Sequence, residues 1–201
     1  MAGLYAITPD WTDTARLLIA ARAALGGGAR VLQYRNKRAS PTLRLEQALA
    51  LSAVCRAHDV PFIVNDDVEL ALEVDADGVH LGRSDEAIAT ARRRIGRRRL
   101  LGASCYNEPP LATAALAAGA DHVAFGSVFP SSTKPGAVRA ALALFASGAQ
   151  LGVPVVAIGG ITVENAGTVV AAGASAVAVI SDLFEAADVA RRAGDYAALF
   201  S

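Results

Sequence analysis

The amino-acid sequence predicts an α/β protein built as a single (β/α)8 TIM barrel over residues 1–201. Three observations point there. Eight short apolar runs alternate with eight longer, alanine-rich stretches of helical character, and such alternation implies a parallel sheet with right-handed crossovers. Glycines at Gly26-Gly27-Gly28, Gly119 and Gly173 each follow a helical stretch and precede a strand, as the C-terminal end of a helix favours. The chain has 201 residues, enough for one domain in which eight units close on themselves. An open doubly wound sheet is the alternative.

The strands are expected at Leu4–Thr8, Val31–Arg35, Phe62–Asn65, Gly78–Leu81, Leu100–Ser104, His122–Gly126, Val155–Gly159 and Ala176–Ile180. Between them the pattern predicts helices near 12–25, 42–58, 67–74, 84–95, 108–118, 137–149, 163–172 and 186–199. Three segments share one cadence, Ala24–Val31, Ala117–Val123 and Ala171–Val177, which reads as one helix-to-strand turn reused around the barrel. No linker or low-complexity stretch divides the chain.

Composition narrows the class. Hydrophobic residues make up 53% of the chain and aromatics 5%, which suits alanine-rich helices over a buried parallel sheet and argues against disorder. Nineteen basic and nineteen acidic residues cancel, whereas a nucleic-acid binder usually carries a basic excess. No apolar run is long enough to span a membrane. Residues Met1 to Asp10 lack the regions of a signal peptide and read as a strand, so a cytoplasmic location is expected. Cys55 and Cys105 are too few for a disulfide scaffold or a zinc site and should be reduced. Homo-oligomerisation is left open.

In a barrel of this kind, chemistry belongs at the carboxyl ends of the strands and in the loops that follow. The second strand runs into Gln33-Tyr34-Arg35-Asn36-Lys37. Alternation puts Gln33, Arg35 and Lys37 on one side, where a guanidinium fork and an ammonium point charge suit a diphosphate. The third strand ends in Asn65-Asp66-Asp67, and the fourth is followed by Gly82-Arg83-Ser84-Asp85. Asp66 and Asp85 can meet above the sheet, and Mg²⁺ favours one or two carboxylates with phosphate oxygens and water. Asp67 reads as the cap of the next helix; Asp85 has a competing reading as a helix-start acid.

Ser104, at the end of the fifth strand, can hydrogen-bond a substrate heteroatom. Cys105 alternates to the other side and lacks an activating base. The loop after the sixth strand holds Ser131, Ser132, Thr133, Lys134 and Gly136, a set that can cradle an anion. After the seventh and eighth strands come Gly159-Gly160-Ile161 and Ile180-Ser181-Asp182, positions that commonly bind phosphate in this fold. Gly160 would let the backbone approach closely. Two anion sites in one mouth suggest two phosphorylated substrates.

Other residues read as structural. His58 ends the second helix, where a cation is favourable. His80 and His122 lie within strands and are expected to be hydrogen-bonded structural groups. The runs Arg92-Arg93-Arg94 and Arg97-Arg98-Arg99 fall at the bottom of the barrel as a solvated, dipole-complementing face. Trp11 is assigned to packing.

Taken together, the strand-end motifs resemble those of the thiamine-phosphate synthase family. The resemblance runs from Tyr5-Ala6-Ile7-Thr8 to Val179-Ile180-Ser181. Its most specific parts are Gln33–Lys37, Val64–Ala71, Gly78–Gly82, Ser131–Lys134 and Ala157–Ile161. The resemblance implies a transferase that joins 4-amino-2-methyl-5-(diphosphooxymethyl)pyrimidine to a (carboxy)thiazole phosphate. Pyrophosphate, and CO₂ where the carboxylate is present, would be released in a dissociative Mg²⁺-assisted displacement.

It further implies that Gln33, Tyr34, Arg35, Asn36, Lys37, Asn65, Ser104 and Lys134 hold the pyrimidine diphosphate. Arg35, Lys37, Ser104 and Lys134 would also act in catalysis. Asp66 and Asp85 would hold Mg²⁺; Ser131, Ser132, Thr133, Gly160, Ile180 and Ser181 would hold the thiazole phosphate. Asn36 stands where the family often has Glu, and Ser131 where it often has Thr. A thiazole tautomerase on a related barrel, or a non-catalytic phosphate-ligand sensor, are the rival readings. The set Arg35, Lys37, Asp66 and Asp85 argues against the tautomerase, and no DNA-binding or partner segment supports the sensor.

Overall fold

The computed structural model describes residues 1–130, 136 and 138–200. Among them eight parallel strands, β1 (Gly3–Ile7), β2 (Val31–Tyr34), β3 (Phe62–Asn65), β4 (Gly78–Leu81), β5 (Leu100–Tyr106), β6 (His122–Phe125), β7 (Val155–Ile158) and β8 (Ala176–Val179), pair in sequence order and close β8 onto β1. The closed barrel is the predicted architecture, and the open sheet is excluded. Helices α1 (Thr14–Gly26), α2 (Pro41–Ala57), α3 (Val68–Glu73), α4 (Ile88–Ile95), α5 (Pro109–Ala117), α6 (Ala143–Gly148) and α7 (Val163–Ala171) each follow one of the first seven strands. α8 (Ser181–Phe184) and α9 (Val189–Ala197) both follow β8.

Side-chain alternation along each strand makes two cores. Tyr5, Ile7, Val31, Ile63, Ala124, Val156, Ala176 and Ala178 fill the barrel. Their neighbours, such as Leu4, Leu32, Phe62, Val64, Val79 and Leu101, face outward against the helices. Each fully buried Leu, Ile or Phe contributes roughly 1.5–3 kcal/mol. Local signals start the helices: Asp13, Ser40, Asp67 and Asp188 each accept a backbone N–H from three residues ahead, the expected capping geometry.

Three boundaries differ from expectation. α4 begins at Ile88 instead of 84 because Gly82–Glu86 is a turn in which the Gly82 N–H donates to Asp85 Oδ2 at 2.6 Å. Asp85 is thus tied to the strand end and does not open a helix. α6 is shorter than expected, and α8 was hidden inside a stretch read as a strand end and a loop.

The arginine run is also more structured than a solvated face. Arg92 donates to the carbonyls of Gly96, Gly119 and Arg99 and pairs with Asp121. Arg94 bridges Glu69 and Glu86, and Arg99 pairs with Asp75. Only Arg93, Arg97 and Arg98 keep the solvated role. Trp11 packs edge-on against Phe184, as a packing residue should.

Candidate active site at the carboxyl ends of the strands

A cavity of about 910 Å³ opens at the carboxyl ends of the strands. Its walls include Tyr5, Gln33, Arg35, Asn65, His80 and Ser104 on one side and Ile158, Gly159, Gly160, Ile180, Ser181 and Asp182 on the other. An adjoining groove is lined by Lys37, Asn65, Asp66 and Asp67, with Asn65 common to both hollows.

On the β1–β4 side the charges are arranged by short contacts. Thr8 Oγ1 accepts the Arg35 N–H at 2.9 Å and donates to the Arg35 carbonyl at 3.0 Å, which locks the end of β2 to the end of β1. The Arg35 guanidinium donates to both Asp10 oxygens, at 3.0 and 3.1 Å, and Asp10 Oδ1 also takes the Lys37 N–H at 2.8 Å. Lys37 Nζ lies 3.0 Å from Asp66 Oδ2. The Lys37 side chain is 54% exposed, and a pair in that setting adds at most about 1 kcal/mol of stability. It is therefore inexpensive for a ligand to displace.

Asp66 sits at φ +65°, a left-handed conformation that Asp and Asn tolerate better than most residues, and it is within hydrogen-bond reach of Asp85. Burial opposes ionisation of Asp66, but hydrogen bonds from Asp85 and Lys37 and the charge of Lys37 hold its carboxyl below the ordinary range. Burial, the hydrogen bond to Asp66 and repulsion from it raise Asp85, against the Gly82 amide. Two carboxylates close enough to share a proton form an arrangement that a divalent cation relieves. Mg²⁺ needs no larger protein set, because phosphate oxygens and water complete its shell. The donor chemistry fits.

The predicted residues are distributed as follows. Gln33 faces the barrel interior and donates from Nε2 to the Tyr5 hydroxyl at 2.8 Å. Ser104 Oγ lies 2.9 Å from His80 Nε2. Tyr34 and Asn36 turn to the other side of β2. The Tyr34 hydroxyl donates to Gln47, and the Asn36 amide bonds the Trp11 carbonyl, Gln47 and the Arg38 and Ala39 N–H groups. Side-chain contact from these two to a ligand in the cavity is therefore not built into this arrangement, although both residues line the adjoining groove.

Gly160, at φ +64°, makes its close approach to the loop after β6: a Cβ there would sit 2.2 Å from the Pro130 carbonyl oxygen. Its own carbonyl is held by Asn165 Nδ2 at 3.0 Å. Ser131, Ser132, Thr133 and Lys134 lie outside the described residues.

Two expectations for histidines come out differently. His80 has the expected hydrogen bond, to Ser104. His122 is 1% exposed, and neither ring nitrogen has a hydrogen-bond partner among the described residues. It stands between the rings of Tyr5 and His80, over Gly102, whose missing Cβ makes room for both imidazoles. Burial, reinforced by His80, pushes its pKa down to about 3, so it is neutral at physiological pH. Burial likewise pushes the Cys105 thiol up to about 12, which removes it as a nucleophile.

Sequence reasoning missed Thr8 and Asp10, although the rule that examined the other strand ends applies equally to β1. It also missed Arg192 and Tyr196, which contact the cavity-lining Asp182 from α9 and leave no local signal.

A closed parallel barrel whose charges converge above the strand ends belongs to the class that builds ligand sites from βα loops. Comparison with known proteins narrows the class. The thiamine monophosphate synthase family profile matches residues 4–183. The chain is 60% identical over 198 residues to a thiamine-phosphate synthase of Chromobacterium violaceum, covering 98% of this chain and 96% of that protein. It is 57% identical over 199 residues to one of Methylobacillus flagellatus, covering 99% and 95%. Among solved structures, a thiamine phosphate pyrophosphorylase from Pyrococcus furiosus aligns with a TM-score of 0.86 at 36% identity, covering 99% of this chain and 95% of that one. A 3-hexulose-6-phosphate synthase aligns at 0.70 with 23% identity, which speaks to the fold alone. The chain belongs to the thiamine-phosphate synthase family.

Proposed function

We propose that residues 1–201 act as one barrel domain that condenses the aminopyrimidine methyl diphosphate with (carboxy)thiazole phosphate, forming thiamine phosphate and releasing pyrophosphate, with CO₂ also lost where the thiazole carries the carboxylate. The observation that carries this reading is the charge at the ends of β2 to β4: Arg35 lines the cavity, Lys37 pairs with Asp66 in the adjoining groove, and Asp66 is within hydrogen-bond reach of Asp85. Two cations and two carboxylates are what a metal-bound diphosphate leaving group calls for. The rival isomerase reading leaves that set without a task.

In this reading Gln33 keeps its carbonyl for the aminopyrimidine because the Tyr5 hydroxyl takes one of its amide hydrogens. Asn65 and Ser104 hold the same ring from the β3 and β5 sides, with Tyr34 and Asn36 contributing backbone at the groove. Arg35 and Lys37 hold the diphosphate, and Lys134 is assigned the third cation from its sequence position. Asp66 and Asp85 would hold Mg²⁺, which supplies neutralisation of the charge that grows on the diphosphate as it departs.

The bond from the methylene carbon to the diphosphate oxygen breaks, the electron pair leaves with the pyrophosphate, and the thiazole nitrogen then bonds to the carbon. Preorganised charges aimed at the leaving oxygens each supply about 3–4 kcal/mol of transition-state stabilisation. No protein nucleophile is required, which agrees with the inert Cys105. Gly160, Ile180 and Ser181, with Ser131, Ser132 and Thr133, take the thiazole phosphate. A cytoplasmic setting suits soluble phosphorylated substrates, and no helix among the described residues is long and apolar enough to cross a membrane.

Purified protein given both substrates and Mg²⁺ should produce thiamine phosphate and pyrophosphate in equal amounts. EDTA should stop the reaction and added Mg²⁺ restore it. Interconversion of thiazole tautomers without pyrophosphate release would point to the isomerase, and binding without turnover to the sensor.

A further inference from the structure

The β7–β8 side of the mouth contains a contradiction. Asp182 lines the cavity next to Ser181, where an anion is proposed to bind. A bare carboxylate there would repel a phosphate dianion. It is not bare. Arg192 NH1 lies 2.9 Å from Asp182 Oδ1 and 2.8 Å from Oδ2, and the Tyr196 hydroxyl donates to Oδ2 at 2.7 Å. Tyr196 is fully buried, and its oxygen also lies 3.4 Å from the Ile161 carbonyl, so it sits at the junction of the turns after β7 and β8. Arg192 and Tyr196 are four residues apart on α9 and share one face of it. Arg191, next to Arg192, is exposed, whereas Arg192 is half-buried with its carboxylate partner.

We propose that Arg192 and Tyr196 are specificity-determining positioning residues: by occupying both oxygens of Asp182 they cancel its charge, so that the turns after β7 and β8 accept a phosphate monoester. The inference rests on the assignment of the thiazole phosphate to those turns. A plain staple between α9 and the barrel would use the same contacts, but it makes different predictions. Loss of a staple lowers stability and harms both substrates alike, and removing its second half repairs nothing. Loss of charge cancellation harms the phosphate monoester selectively, and removing the exposed carboxylate repairs it.

The test compares Arg192→Met, Asp182→Asn and the double variant, with KM measured for each substrate and folding checked by thermal melt. Arg192→Met should raise the thiazole-phosphate KM by about tenfold or more, since juxtaposed like charges are costly, and leave the diphosphate KM within roughly twofold. The double variant should recover to within roughly threefold of the parent, because the two changes act on one interaction. Equal rises for both substrates, or a double variant as poor as Arg192→Met, would overturn the proposal.

If Arg192→Met does not fold, Tyr196→Phe keeps the ion pair and removes one contact. It should give a smaller rise confined to the thiazole phosphate, and no selective rise would overturn the proposal. Ser181→Asp separates this inference from the site assignment beneath it. A selective effect of Ser181→Asp without one from Arg192→Met defeats the inference alone, and no selective effect of Ser181→Asp defeats the assignment.

Discussion

The two halves of the barrel mouth handle charge in opposite ways. On the β1–β4 side, beside the closed Arg35–Asp10 pair, ionic groups are displayed: Lys37 is half-exposed against Asp66, and Asp66 and Asp85 crowd each other. On the β7–β8 side the only ion pair among the described residues, Asp182 with Arg192, is closed off by a buried tyrosine, and the wall is otherwise uncharged: glycine, small and branched aliphatic residues, and the hydroxyls of Thr162 and Ser181. Displayed charge suits a ligand whose charge increases during reaction, because preorganised groups then strengthen their hold as it leaves. A neutralised, largely backbone-built wall suits an anion whose charge does not change. The difference matches a departing diphosphate on one side and a spectator phosphate on the other.

The comparison can be broken most severely at Asp66. Because Asn tolerates the same left-handed backbone, Asp66→Asn changes charge while keeping the turn at φ +65°. With the metal role assigned here, kcat should fall by about three orders of magnitude or more. Excess Mg²⁺ should recover part of the loss, and activity within a few-fold of the parent would remove Asp66 from the metal site. Lys134→Ala comes next. A point charge that strengthens on the departing diphosphate is worth roughly 10²–10³ in kcat, whereas a solvated loop lysine would change it within a factor of about two. Steady-state kinetics on the folded variant separates the two.

The smallest effect concerns stability. The pKa of His122, about 3 when folded, lies below the ordinary imidazole value near 6.5. The folded state therefore resists protonation. Its contribution is intact above about pH 6.5 and is lost progressively as pH falls toward 3. His122→Leu should flatten that part of the acid profile in urea unfolding. An unchanged slope would mean that His122 titrates normally.

The β2–β4 half was legible because its groups are sequence neighbours: Gln33 to Lys37 form one strand end, and Asp66 directly follows the next. The barrel itself was legible because alternation and glycine punctuation are local. Asp10 was legible in principle, since the strand-end rule applies to β1, but its role appears only when Thr8 ties β1 to β2. Arg192 and Tyr196 were not legible, because partners ten and fourteen residues beyond Asp182 meet it only after α9 folds back on the barrel. The start of α4 is expected near 84 and falls at Ile88 because a helix-start carboxylate and a turn carboxylate such as Asp85 look alike in sequence. His122 was misread because the space over Gly102 comes from neighbouring strands.

One paired measurement asks whether the two halves of the mouth serve different substrates. KM values for both substrates should be determined in Arg35→Met and in Ser181→Asp. Ser181 opens α8, where an added carboxylate is well tolerated by the fold. A crossed pattern is expected. Arg35→Met should raise the diphosphate KM by about tenfold or more and leave the thiazole-phosphate KM within roughly twofold, with Ser181→Asp doing the reverse. Parallel rises for both substrates in either variant would contradict it.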